Sequence, residues 1–113
     1  MAMVGNIQAR SGDVFLVGLD PTKGSEIQKT RPCVIISPDE LNEHLSTYIV
    51  APMTTGGHAY PFRVQCRFKG KQGRVVLDQL RAVDRQRLVR PLGRMTPDVM
   101  EIVLSALRDM FAA

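Results

Sequence analysis

Between Phe62 and Phe68 the chain alternates cleanly: Phe62, Val64, Cys66 and Phe68 fall on one side, Arg63, Gln65 and Arg67 on the other. A period of two residues marks a strand with one covered face and one wet face. Lys69-Gly70-Lys71-Gln72-Gly73 then supplies a basic turn, and Arg74-Val75-Val76-Leu77-Asp78-Gln79-Leu80 returns as a second strand. Strands joined by so short a connection run antiparallel, because a parallel return needs a crossover of a dozen or more residues.

Three upstream runs have strand length. Val14 to Leu19 follows the turn-like Ser11-Gly12-Asp13. Cys33-Val34-Ile35-Ile36-Ser37 is apolar at consecutive positions, which predicts a strand covered on both faces. Thr47 to Met53 reads as another buried strand ending near Pro52. Between the second and third, Ser37 to Leu45 predicts one or two helical turns. Ser37 would be the cap, Pro38 the first helical position, and Leu41 and Leu45 would pack on the sheet. Arg81 to Asp84 and the basic Arg85 to Arg90 continue the chain, and Pro91 to Met95 reads as a linker. Thr96-Pro97-Asp98 opens a C-terminal helix. Val99, Met100, Val103, Leu104, Leu107, Met110 and Phe111 form its apolar stripe, facing the sheet.

A chain of 113 residues, 44% hydrophobic, suits one domain with a real core. We read residues 1–10 as a mobile N-terminal arm and 11–113 as a single domain. No run approaches the roughly 18 to 20 apolar residues of a membrane span. The first ten residues lack a signal-peptide pattern. The expectation is a cytoplasmic protein. Cys33 and Cys66 sit inside apolar runs without metal-ligand spacing, so they read as buried free thiols.

Net charge is +4, unevenly distributed. Residues 61–95 hold ten basic and two acidic side chains, a net of +8, between acidic ends of −2 each. That pattern fits either a polyanion footprint or a solvated strand face. The polar stretch Leu19 to Pro32 is longer than a hairpin needs and closes on Arg31, a plausible phosphate reader or a plain surface arginine. Thr54-Thr55-Gly56-Gly57-His58-Ala59 can bring donors close to an anion, but it has no P-loop lysine. His44 and His58 read as exposed, without a catalytic role. Asp78 interrupts an apolar run and needs a partner, so pairing with a nearby arginine is the better reading than direct catalysis.

The order of motifs resembles the MazF/PemK family of toxin endoribonucleases. It runs through Gly12-Asp13-Val14, Leu19-Asp20-Pro21-Thr22-Lys23-Gly24-Ser25-Glu26 and Thr30-Arg31-Pro32. It continues with Val50-Ala51-Pro52-Met53-Thr54-Thr55, Tyr60-Pro61-Phe62, Leu77-Asp78-Gln79-Leu80-Arg81 and Val83-Asp84. The resemblance covers about residues 11 to 112. It implies a mainly β fold with some α, a small SH3-like or CcdB-like curved antiparallel barrel with one short internal helix and a C-terminal helix. It implies a homodimer, a cognate antitoxin with an acidic tail, and sequence-specific, metal-independent and cofactor-free cleavage of single-stranded RNA, chiefly mRNA.

On this resemblance Arg31 and Thr54 are the foremost catalytic candidates, with Glu26 and Asp78 beside them. RNA contacts are implied for Lys23, Ser25 and Lys29 in the first loop and for Thr55. Further contacts are implied for Arg63, Arg67 and Lys69 on the basic hairpin, and for Gln79 and Arg81. The PemK-type branch has an arginine where this chain has Val76 and a histidine where it has Ser25, which favours the Arg31/Thr54 chemistry over an Asp-Arg-His one. Two alternatives share the fold: a CcdB-like toxin that binds gyrase and cuts nothing, and an SH3-like RNA-binding module without catalysis.

Overall fold

The computed structural model describes residues 8–56 and 59–112. Seven strands run through it: β1 (Asp13–Gly18), β2 (Thr30–Ile35), β3 (Thr47–Thr54), β4 (Arg63–Phe68), β5 (Lys71–Val76), β6 (Arg81–Asp84) and β7 (Leu88–Arg94). Helix α1 (Asp39–Asn42) precedes β3, and helix α2 (Pro97–Met110) closes the chain. All the pairings are antiparallel, in the order β4-β5-β3-β2-β1-β7, with β6 also on β3. The path has two ends, so the sheet is curved but not a closed barrel. Its ends meet by packing instead of a ladder: the Phe68 ring on β4 lies 3.2 Å from where a Cβ on Gly93 of β7 would stand.

The sheet has a core on each face. Val14, Val34, Ala51, Met53, Val75 and Leu77 pack with Val103 of α2 on one side. Phe15, Val17, Cys33, Ile35, Tyr48 and Val50 pack with Val83 and Leu88 on the other. This is why β1, β2 and β3 are apolar at consecutive positions while β4 alternates. Val64 and Cys66 of β4 join the first core, and Gln65 and Arg67 are exposed.

Strand β3 is the organising element, shared by three neighbours. On one edge it pairs with β2, Cys33 opposite Pro52. On the other edge β6 takes its first half, Val50 opposite Arg81, and β5 its end, Met53 opposite Val75. Six steps from Val75 to Arg81 thus face three steps from Val50 to Met53. Three residues are surplus, and Leu77–Gln79 form a 3-10 turn between β5 and β6. The expected single strand Arg74 to Leu80 is therefore broken, and Asp78 projects to solvent instead of lying in an apolar run.

Other boundaries differ for physical reasons. Pro38, not Ser37, is the N-cap of α1. Ser37 is buried, and its hydroxyl donates to Asn42 Oδ1 at 2.5 Å, making Asn42 the inward residue of this short helix. Leu41 and Leu45 are exposed instead of packed on the sheet. The expected linker Pro91 to Met95 lies mostly inside β7, paired with β1. Strand β2 starts at Thr30, so Arg31 and Pro32 belong to it. Helix α2 begins as expected, with Thr96 Oγ1 accepting from the Val99 amide at 3.3 Å. Of its stripe, Val103 is fully buried and Val99, Met100, Leu107 and Met110 pack partly, while Leu104 and Phe111 stay exposed. Phe62 is exposed as well, outside the apolar face expected of its strand.

Of the N-terminal arm, residues 1–7 lie outside the described residues, as does His58. Ala9 is buried in the second core, and Arg10 approaches Asp39 at 3.6 Å. Both cysteines are buried free thiols. Among the described residues no helix is long and apolar enough to cross a membrane.

Candidate functional site

The register of β2 on β3 sets the site. Continuing the ladder two residues beyond Cys33 and Pro52 puts Arg31 across from Thr54. Both residues line one recess of about 130 Å³, together with Thr55. The Arg31 Nε donates to the Gln28 carbonyl at 3.3 Å, which steers the guanidinium from its own loop. Among the described residues Arg31 has no carboxylate partner within ion-pair distance, so its charge is not neutralised. The Thr54 hydroxyl makes one long bond, 3.5 Å to the Gly56 carbonyl, and remains able to donate elsewhere.

Thr54 is held from the β5 side. A Cβ on Gly73 would sit 2.4 Å from the Thr54 carbonyl oxygen. Only a residue without a side chain allows β5 to approach that closely. Gly73, Gln72 and Lys71 bring the basic hairpin to the rim of the same recess, and Cys66 and Phe68 come from β4. The sequence shows a basic turn here but carries no signal that places Lys71, Gln72 or Phe68 beside Arg31. The β4–β5 ladder, with Phe68 opposite Lys71 and Cys66 opposite Gly73, does so.

A second recess, of about 400 Å³, adjoins β3 at Pro52 and gathers Glu26, Asp78, Gln79 and Arg81. The four catalytic candidates thus divide into two pairs: Arg31 with Thr54, and Glu26 with Asp78. Glu26 Oε1 accepts from the Lys23 amide at 2.6 Å, so this carboxylate caps a turn of its own loop. Asp78 is bound by Arg63, Nε to Oδ1 at 3.0 Å and Nη2 to Oδ2 at 2.9 Å. The Arg63 hydrogen bond holds the Asp78 carboxyl below its ordinary range and pushes the guanidinium up. Arg63 also stacks over Tyr60, 4.8 Å from the ring centre.

Several residues expected to touch RNA secure the protein itself. Gln79 Oε1 accepts from the Ile27 amide at 2.7 Å, and Arg81 donates to the Leu19 carbonyl at 3.0 Å. Arg87, which no motif in the sequence singles out, donates to the carbonyls of Gly18, at 3.1 Å, and Asp20. Asp20 Oδ1 accepts from the Lys29 amide at 3.0 Å across the loop base. The long β1–β2 loop is thereby pinned at both ends. Arg67 bonds the Gly70 carbonyl at 3.0 Å. Lys23, Ser25, Lys29 and Lys69 are exposed. Cys33 lies beneath Arg31, its thiol 3.6 Å from the Arg31 carbonyl. Burial pushes that thiol up to about 12, against the pull of Arg81.

Residues 10–111 match the family model of the PemK-like, MazF-like toxins of type II toxin-antitoxin systems. The chain belongs to this family. It is 31% identical over 102 residues to the endoribonuclease toxin MazF of Escherichia coli K12, covering 89% of this chain and 92% of that protein. Its fold superimposes on MazF from Deinococcus radiodurans with a TM-score of 0.81 at 26% identity, covering 92% of this chain and 96% of that one. A MazE-MazF structure from the same organism matches with a TM-score of 0.76 at 26% identity and the same coverage of both chains. A mycobacterial endoribonuclease shares the fold at 22% identity, with a TM-score of 0.74 over 91% of this chain and 90% of that one.

Proposed function

We propose that this protein is the toxin of a type II toxin-antitoxin pair, acting as a sequence-specific, metal-independent endoribonuclease on single-stranded RNA. The observation that carries the reading is Arg31 and Thr54 lining one recess, one with an unneutralised charge and the other with a hydroxyl held only by one long bond. A family of toxins whose relatives are named endoribonucleases supports it.

In the proposed reaction the ribose 2′-oxygen attacks the adjacent phosphorus and the bond to the 5′-oxygen breaks. The 2′-hydroxyl proton leaves to a base, and the departing 5′-oxygen takes up a proton. The products are a 2′,3′-cyclic phosphate and a 5′-hydroxyl. Negative charge builds on the non-bridging oxygens in the pentavalent state, and fixed donors there lower the barrier. Arg31 supplies a planar fork suited to a phosphate, and Thr54 a single hydroxyl donor. With a free pKa above about 12, Arg31 acts first through its charge and not by proton transfer. Glu26, the carboxylate nearest to Arg31 in sequence, lines the second recess, and there its role is to hold the loop through the Lys23 amide.

Lys23, Lys29 and Lys69 extend the positive surface along the RNA backbone. The protein works in the cytoplasm as a homodimer, and its antitoxin blocks the groove with an acidic tail that competes for the same cations. Incubation of purified protein with a long unstructured RNA in excess chelator tests the reading. Discrete fragments ending in cyclic phosphate are expected. Intact RNA would remove the nuclease assignment and leave a toxin that acts by binding.

A further inference from the structure

Side chains directly opposite each other in a ladder stand on one face of the sheet. Arg31 lies across from Thr54, Thr54 across from Arg74 of β5, and Arg74 across from Gln65 of β4. One row therefore crosses four strands in the order arginine, threonine, arginine, glutamine. Cys33 and Val50, two and four residues along their strands from Arg31 and Thr54, project the same way and belong to the second core. The row begins where that core ends.

Arg74 is half-buried and lines a recess of about 260 Å³ with Thr55, Gln65, Gln72 and Gly73. Among the described residues it is the one charged group of that lining. The close approach of Gly73 to the Thr54 carbonyl holds β5 against β3 at this point, so the next residue, Arg74, is set beside Thr54. Residues 63–76 hold five basic side chains and no acidic one. Arg31 and Arg74 stand on either side of Thr54, their backbones two strand spacings, roughly 10 Å, apart. Two extended arginine side chains can converge across that span on one phosphate held at Thr54.

We propose that Arg74 is a further catalytic residue, a second guanidinium on the scissile phosphate, placed opposite Arg31 with Thr54 between them. The proposal rests on the nuclease reading above and adds a contact to its reaction. Two forks approaching from opposite sides offer donors to both non-bridging oxygens, where the pentavalent state gathers its charge. Arg74 acts by charge and hydrogen bonds, and no proton passes through it.

The test uses a short RNA spanning the cut, located by 5′-end sequencing of RNA cut by the wild type. Arg74→Gln should lower the single-turnover rate at saturating RNA roughly tenfold or more, with KM changed less. Arg74→Lys keeps the charge without the fork and should recover part of the loss. The loss should persist when the phosphates flanking the cut are replaced one at a time by neutral methylphosphonates. A loss that vanishes with one neutral flanking phosphate overturns the assignment and leaves the nuclease reading standing, as does a folded Arg74→Gln protein that cuts at the wild-type rate. A wild type that cuts nothing overturns both. A measurement on the unaltered protein decides the matter if the variants fail to fold. The short RNA with a 2′-deoxyribose at the cut should shift the Arg31 and Arg74 Nε–H magnetic resonance signals, and a neutral scissile linkage should abolish the Arg74 shift. An Arg74 signal that moves equally with both RNAs, or with neither, overturns the assignment.

Discussion

Arg63 grips Asp78 with two parallel bonds of 3.0 and 2.9 Å, joining β4 to the 3-10 turn that interrupts the β5–β6 strand. The carboxylate thus has a structural occupation. Asp78→Asn should cost about 0.2 to 1 kcal/mol of stability, the range of partly exposed ion pairs, since 43% of the Asp78 side chain is open to water. Its effect on cleavage should be far smaller than that of Arg31→Ala. Urea unfolding and single-turnover cleavage of the same preparation check both statements.

The pair also fixes an acid limit. Asp78 is lowered by its bond from Arg63, and Asp39 by its bond from the Ser11 amide. Each is more acidic folded than unfolded. Their stabilisation is full above the ordinary aspartate value of about 3.9 and is lost as pH falls through the lower folded values. Stability should hold near neutral pH and decline below about pH 4. The double variant Asp39→Asn, Asp78→Asn should be less stable at pH 7 and show a shallower decline, measured by urea midpoints across pH.

Gly73 is the tightest backbone approach in the site. Gly73→Ala puts a methyl 2.4 Å from the Thr54 carbonyl oxygen, and no flexible side-chain end is there to yield. The expected cost is about 1 to 3 kcal/mol, as for other overpacked positions. Cleavage should fall further than stability, because the strand carrying Thr54 must move. Gly70→Ala, in a turn with open space around it, serves as a comparison for backbone strain alone.

Gln79 holds the β1–β2 loop through its acceptor oxygen on the Ile27 amide. Gln79→Leu should speed amide exchange at Ile27 and its neighbours and raise KM more than it lowers kcat. Gln79→Glu keeps the acceptor and should restore the exchange protection. Equal exchange in all three proteins would show that the loop is held by other contacts, such as Arg81 to Leu19 and Arg87 to Gly18.

The strand pattern was legible because alternation at 63–68 and continuous apolar runs at 14–19 and 33–36 record which faces are covered. Thr96 and Pro97 marked the start of α2 in the same local way. What stayed hidden depends on register. The three surplus residues Leu77–Gln79 cannot be counted until Val75 and Arg81 are seen against Met53 and Val50. The division of Glu26 and Asp78 from Arg31 and Thr54 follows from the same displacement. Leu41 and Leu45 misled because a four-residue helix places Asn42 inward, where Ser37 satisfies it. Lys71 and Gln72 looked like turn residues, yet the turn is only Lys69-Gly70, and β5 carries them to the recess.

The central claim is that Arg31 stabilises the charged phosphorus centre from across β3. Single-turnover cleavage of one RNA by wild type and Arg31→Ala, with unfolding curves to confirm equal folding, tests it most directly. The account predicts a fall on the order of 10²-fold or more with the stability of Arg31→Ala within about 0.5 kcal/mol of the wild type. A folded Arg31→Ala protein that cuts as fast as the wild type would contradict it.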